Sequence, residues 1–203
     1  MVSFLSNKFL FIVTLLAALL NFSNSCAATR LISFHPESPR KTLHENAVMQ
    51  GIRDAEYLSN QSFHLLIDGE NIGTLSAGQG TSENDVNVCF ISWKPLKSAR
   101  YTLIPTIGFE QWEATACSAT KAVRVISSPA EAEIKIAVLY AVTSPNAVAA
   151  ESVILTLDSQ QKLSIDGPLT DSIGSAGASN LAQLKKLYQK QDSTRKNQVS
   201  PQQ

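Results

Sequence analysis

Few side-chain arrangements in this chain have the types and spacing to do chemistry, and the first begins with a serine. Ser118-Ala119-Thr120-Lys121 has the Ser-x-x-Lys spacing in which a lysine activates a nucleophilic hydroxyl. That chemistry requires the lysine one helical turn from the serine, at the start of a buried helix, with further partners elsewhere. Here the motif lies in a strand-like stretch, and neither Ser-Asp-Asn nor Lys-Thr-Gly occurs. Gly174-Ser175-Ala176-Gly177 lacks the strand-to-helix elbow of a hydrolase nucleophile. Gly78-Gln79-Gly80 lacks the third glycine and the helix of a phosphate-cradling turn. His35, His44 and His64 are the only histidines, with no His-Glu-x-x-His or paired Cys-x-x-Cys spacing beside them. They read as solvated or core-edge residues, so no metal or other cofactor is expected and the chain reads as non-catalytic.

Two further sets could bind or cross-link. Cys26 falls in a leader-like segment, which leaves Cys89 and Cys117 as a pair. On neighbouring strands in an oxidising compartment such a pair is expected to bond, stabilising the fold by ~2–4 kcal/mol. Trp93, Tyr101, Phe109 and Trp112 have two readings: core or strand-pairing aromatics, or a ligand platform built on Trp93 and Trp112. Asn60-Gln61-Ser62 is a glycosylation sequon, meaningful only in a eukaryotic host.

The elements that position these residues read mostly as strands. Thr29 to His35 is a first strand, ended by Pro36 and Pro39. Thr42 to Leu58 is ambiguous: His44 to Gln50 allows a short helix, but Gly51 interrupts it. Phe63, Leu65 and Ile67 alternate with His64 and Leu66, and the strand turns at Asp68-Gly69. Ser76 to Asp85, with Gly78, Gly80, Ser82 and Asn84, reads as an exposed loop. Val86, Val88 and Phe90 then alternate with Asn87, Cys89 and Ile91 as a half-buried strand. Strands follow at Tyr101–Ile104, Ala122–Ile126 and Glu133–Tyr140, where Ile134, Ile136, Val138 and Tyr140 share a face. Ser152–Asp158 and Lys162–Asp166 form a hairpin around Ser159-Gln160-Gln161.

The start of the chain has a cationic residue, Lys8, then an apolar run from Phe9 to Leu20 and small residues at Ser23, Ser25, Ala27 and Ala28. This is the order of a secretory signal peptide over residues 1–27, and the run is short of the roughly 20 residues that span a bilayer. Cleavage before Cys26 instead would leave it to carry a lipid, the one route to direct membrane attachment. Lys+Arg and Asp+Glu are both 17, so the net charge is zero. A neutral chain lacks the basic footprint of a nucleic-acid binder.

Ile67-Asp68-Gly69-Glu70-Asn71-Ile72-Gly73-Thr74-Leu75 resembles the strand-Asp-Gly-x-x-Ile/Val-Gly-Thr opening of PEGA-type modules, small β domains of bacterial envelope and surface proteins. Leu96 to Leu103 resembles their second half, and Gly108-Phe109-Glu110-Gln111-Trp112 their Gly-aromatic-x-x-Trp. The resemblance covers about residues 62–126. It departs at Ala99-Arg100, where the family has glycine, and at the longer middle segment Ser76 to Asp85. It implies a structural or binding module with no catalytic residues.

After residue 167 the composition changes. Residues 168–178 read as a flexible linker and 179–191 as an amphipathic helix whose Leu181, Leu184, Leu187 and Tyr188 share a face. That face is expected to bind an envelope partner protein or to pack on its own domain. Residues 192–203 read as a disordered tail. The expected fold is an immunoglobulin-like or PEGA-like antiparallel β-sandwich over residues 28–167 with one C-terminal helix. The expected role is a non-catalytic, exported structural or protein-binding module, periplasmic or at the cell surface. A secreted carbohydrate- or ligand-binding protein is the alternative.

Overall fold

The alternation through Val88-Cys89-Phe90-Ile91-Ser92-Trp93 buries both faces of its strand: all six residues are buried. A strand covered on both sides must lie between two layers, and this one does. The computed structural model describes residues 28–35, 40–99, 101–174 and 176–199. The signal-peptide reading for residues 1–27, with Cys26, lies outside the described residues.

The elements in chain order are β1 (Thr29–Ser33), α1 (Arg40–Met49), β2 (Ile52–Ile67), β3 (Glu70–Ser82), β4 (Asn87–Pro95) and β5 (Thr102–Pro105). A 3₁₀ turn at Glu110–Trp112 leads to β6 (Ala116–Val125), β7 (Ile134–Ser144), β8 (Ala147–Leu157), β9 (Leu163–Ile165), α2 (Gly167–Gly174) and α3 (Leu181–Val199). Sheet A holds β1 to β5 and sheet B holds β6 to β9, each antiparallel with its strands in chain order. Two successive meanders differ from the Greek-key connections of an immunoglobulin-like domain.

The two sheets share one apolar core, to which sheet A contributes Leu75, Ile91 and Trp93 and sheet B contributes Ile136, Val138, Tyr140 and Leu155. The disulfide between Cys89 on β4 and Cys117 on β6 joins the sheets through this core, as the cysteine count leads one to expect. The other faces are covered by helices. Leu43 and Ala47, one turn apart on α1, pack on Ile52, Val88, Phe90 and Leu103 of sheet A. Residues of α2 and α3 pack on Ala137, Leu139 and Ile154 of sheet B. Among the described residues no helix is long and apolar enough to cross a membrane.

Several expectations need correction. Among the described residues there are three α-helices, not one. α1 resolves the ambiguous Thr42–Leu58 segment, and Gly51, with φ +70, ends the helix by donating its N–H to Val48 O at 3.0 Å. β2 begins at Ile52, well before the apolar alternation becomes legible at Phe63, because bulges shift its register between Arg53 and Glu56 and between Tyr57 and Ser62. The expected loop Ser76–Asp85 is strand as far as Ser82. Its glycines serve space rather than freedom: a Cβ on Gly78 would lie 2.1 Å from the Phe90 ring.

The linker expected over 168–178 is helical through Gly174. Asp166 caps it, its Oδ1 accepting the Leu169 N–H at 3.1 Å, and Pro168 falls in the first turn, where its missing N–H costs nothing. The tail expected from residue 192 continues α3 to Val199. The Asp68-Gly69 turn is as expected, with φ values of 53 and 86 that suit a two-residue type I′ hairpin.

Candidate functional site

The structure disperses the residues whose spacing suggested chemistry. Ser118 is exposed on β6, where its hydroxyl hydrogen bonds that of Thr143 at 2.7 Å, and Lys121 lies further along the same strand. No helical turn brings serine and lysine together. His35 and His44 are exposed, and His64 stacks on Phe34 with ring centroids 4.3 Å apart. Among the described residues no group of three or more His, Cys, Asp or Glu could hold a metal ion.

Trp93 and Trp112 do not form a platform. Both are buried in the inter-sheet core, and the Trp93 Nε1–H donates to the carbonyl of Gln161 at 2.9 Å, tying sheet A to the β8–β9 turn. The face of Leu181, Leu184, Leu187 and Tyr188 is also committed internally. Leu184 and Tyr188 are buried against sheet B, Leu181 and Leu187 pack beside them, and the Tyr188 hydroxyl donates to Glu131 in the β6–β7 loop. This helix face packs on its own domain, with Leu181 and Leu187 only partly buried.

The most desolvated ion pair among the described residues joins Lys135 and Asp166. Lys135 Nζ donates to Asp166 Oδ2 at 3.0 Å, to Glu133 Oε2 at 2.8 Å and to Thr156 Oγ1 at 2.8 Å. Burial alone would raise the Asp166 carboxyl, but the Lys135 ammonium and the Leu169 N–H hold it below the ordinary carboxylate range. Burial alone would lower Lys135, and its two carboxylates reverse that and raise it. A depressed carboxyl contributes stability that is present above its ordinary pKa of about 3.9 and lost as pH falls through its folded value. Asp166→Ala is therefore expected to cost about 2 kcal/mol at pH 7, from the helix cap and a charge-assisted hydrogen bond. The cost should shrink in acid; urea unfolding of both proteins at pH 7 and pH 2.5 tests this, and an equal cost at both would refute it.

The outer face of sheet A beyond α1 is different. Strand register sets three rows of side chains across this face. Ile32, His64, Thr74 and Lys94 form the first; Ser62, Ser76 and Ser92 the second; Tyr57, Gly78 and Phe90 the third. The middle row is small, and its Ser76 and Ser92 line the floor of a groove of about 250 Å³ between taller neighbours. All three serines are buried, the Ser62 hydroxyl donating to Leu58 O at 3.2 Å and the Ser92 hydroxyl to Ser76 O at 3.4 Å. Tyr57 and Tyr101 wall the groove with ring centroids 6.4 Å apart, and Phe34, Lys94, Pro95 and Leu96 complete its lining.

The phenol oxygens of Tyr57 and Tyr101 are both buried. Burial pushes the Tyr57 phenol up to about 12, opposed by the neighbouring Ser92 hydroxyl. Two tyrosines in its walls give the groove a polar component beside its apolar lining. The larger cleft between α2 and α3, lined in part by Asp166, Ser172, Leu187 and Lys190, has no such pair: Asp166 is engaged by Lys135 and Ser172 by Gln191. Sequence reasoning missed the groove because Tyr57 lies in the bulged half of β2; only Tyr101 had been singled out.

No known protein family, characterised protein or solved structure matches this chain.

Proposed function

We propose that this chain is an exported, non-catalytic binding module of the cell envelope that works through the Tyr57–Tyr101 groove. The observation that carries this reading is the groove of about 250 Å³ on the outer face of sheet A, walled by Tyr57 and Tyr101 over Ser76 and Ser92. Binding sites are concave, mostly apolar and furnished with a few placed polar groups, and this groove has that composition. The buried disulfide between the sheets is consistent with an oxidising compartment, and the apolar run Phe9–Leu20 points the same way. The resemblance of residues 67–75 to the opening of PEGA-type modules would make the role structural or binding.

Two measurements test the reading. Fractionation of the host cell should find the tagged protein outside the cytoplasm with both thiols oxidised; a cytosolic, reduced protein would refute export. The chain has four tyrosines, Tyr57, Tyr101, Tyr140 and Tyr188. With their rings ¹³C-labelled, a ligand in the groove should move the NMR signals of Tyr57 and Tyr101 and leave Tyr140, deep between the sheets, unmoved. A broad panel of glycans, peptides and small acids that moves neither would overturn the binding assignment.

A further inference from the structure

We infer that the free edge of β8 pairs with the same edge of a second copy of this chain, joining two copies of sheet B into one continuous sheet about a two-fold axis. The inference is independent of the groove on sheet A.

The edge is open over the first half of the strand. β8 pairs with β7 along its whole length, Ala147–Leu157, without a register shift. On its other side β9 covers only Leu155–Leu157. One residue earlier, the Ile154 N–H donates to Thr170 Oγ1 at 2.9 Å and Ile154 O accepts the Asp166 N–H at 2.8 Å. In an antiparallel ladder successive residues direct their N–H and C=O groups alternately to the two sides. Ile154 points away from β7, so Val148 and Ala150 do as well. Both are exposed, Val148 at 78%, and no hydrogen bond among the described residues engages their outward backbone groups. Native sheets blunt such an edge with lysine, proline, a bulge or a covering element. Ala147-Val148-Ala149-Ala150-Glu151 has none of these.

Two observations select a second copy over a foreign strand. An edge that chooses a foreign sequence does so with pockets for alternate side chains. Neither cleft described above is lined by a residue of Ala147–Glu151, so recognition here falls to the backbone. The edge is also its own complement. With the axis at Ala149, Val148 of each copy lies opposite Ala150 of the other, and the outward N–H and C=O of both residues are satisfied on both copies. Glu151, the only charged residue in the stretch, then lies opposite Ala147, whereas an axis at Glu151 would set like charges against each other.

Sedimentation over about 1 μM to 1 mM protein should show a reversible monomer–dimer equilibrium with a Kd on the order of 0.1 mM, as suits a contact smaller than that of a stable dimer. Amide exchange of Val148 and Ala150 should slow as concentration rises, while that of Ala149, already bonded to β7, should not. Ala150→Pro removes an edge donor without touching the β7 ladder and should weaken the dimer roughly tenfold or more. Val148→Lys, which sets a charge on the edge of both copies, should do the same and keep the wild-type urea midpoint even if the proline variant does not. A protein still monomeric at about 1 mM would overturn the inference and leave the edge to a strand of another protein. A dimer unchanged by both substitutions, or one that slows no amide of Val148 or Ala150, would overturn it as well.

Discussion

Replacing Cys89 and Cys117 together by alanine is expected to lower the unfolding free energy by about 3.5 kcal/mol. The bond closes a loop with a sequence separation of 28, and loop-closure entropy for that length gives this figure. For a domain of this size the loss corresponds to a fall in Tm of roughly 7–14 °C. Thermal unfolding of the wild type with and without reductant, beside the double variant, is the check. The bond joins two sheets whose remaining ties are packing and single hydrogen bonds such as that from Trp93 to Gln161. A change below about 1 kcal/mol would mean that the denatured chain already holds these segments together.

Leu184→Asp should cost a comparable ~3–5 kcal/mol, the loss of a fully buried leucine compounded by a carboxylate placed among Ala137, Leu139 and Ile154. If α3 were a detachable docking helix, the same substitution would leave the domain intact. The measurement is urea unfolding paired with limited trypsin digestion at Lys185 and Lys186. The expected result is a lower midpoint together with rapid cleavage in α3. Lys186→Asp, on the exposed side of the helix, should stay within about 0.5 kcal/mol of wild type. Equal behaviour of the two variants would refute the packing described for this helix.

Much of the β architecture could be read from local pattern, and the misreadings share a physical cause. Ile134, Ile136, Val138 and Tyr140 show their common face because it meets the other sheet directly. The strand of Val88 and Phe90 read as half-buried, whereas both of its faces are covered, one of them by α1, whose helical signature is weak. Gly78 and Gly80 suggested a loop by composition, whereas their role is to admit Phe90 and Ile52 against the backbone, a tertiary demand that leaves no local trace. Gly167-Pro168 looked like a break and proved to be the first turn of α2 once Asp166 was seen capping it. The amphipathic face of α3 was legible; what covers it was not, because a stripe of leucines carries no address. The groove was the least legible part, since it depends on serines aligned across three strands and on a tyrosine in a bulged stretch.

The chain-order topology of the two sheets bears on how the molecule is made. Sheet A is complete once β5 has been synthesised, and its pairings are between successive strands, an arrangement that favours rapid local folding. At that stage Leu75, Ile91 and Trp93 face solvent, because the strands that cover them have not yet emerged. Cys89 remains a free thiol until Cys117 follows it. The nascent half is thus at its most aggregation-prone between β5 and β7, and a chaperone that shields an apolar sheet face would act in that interval.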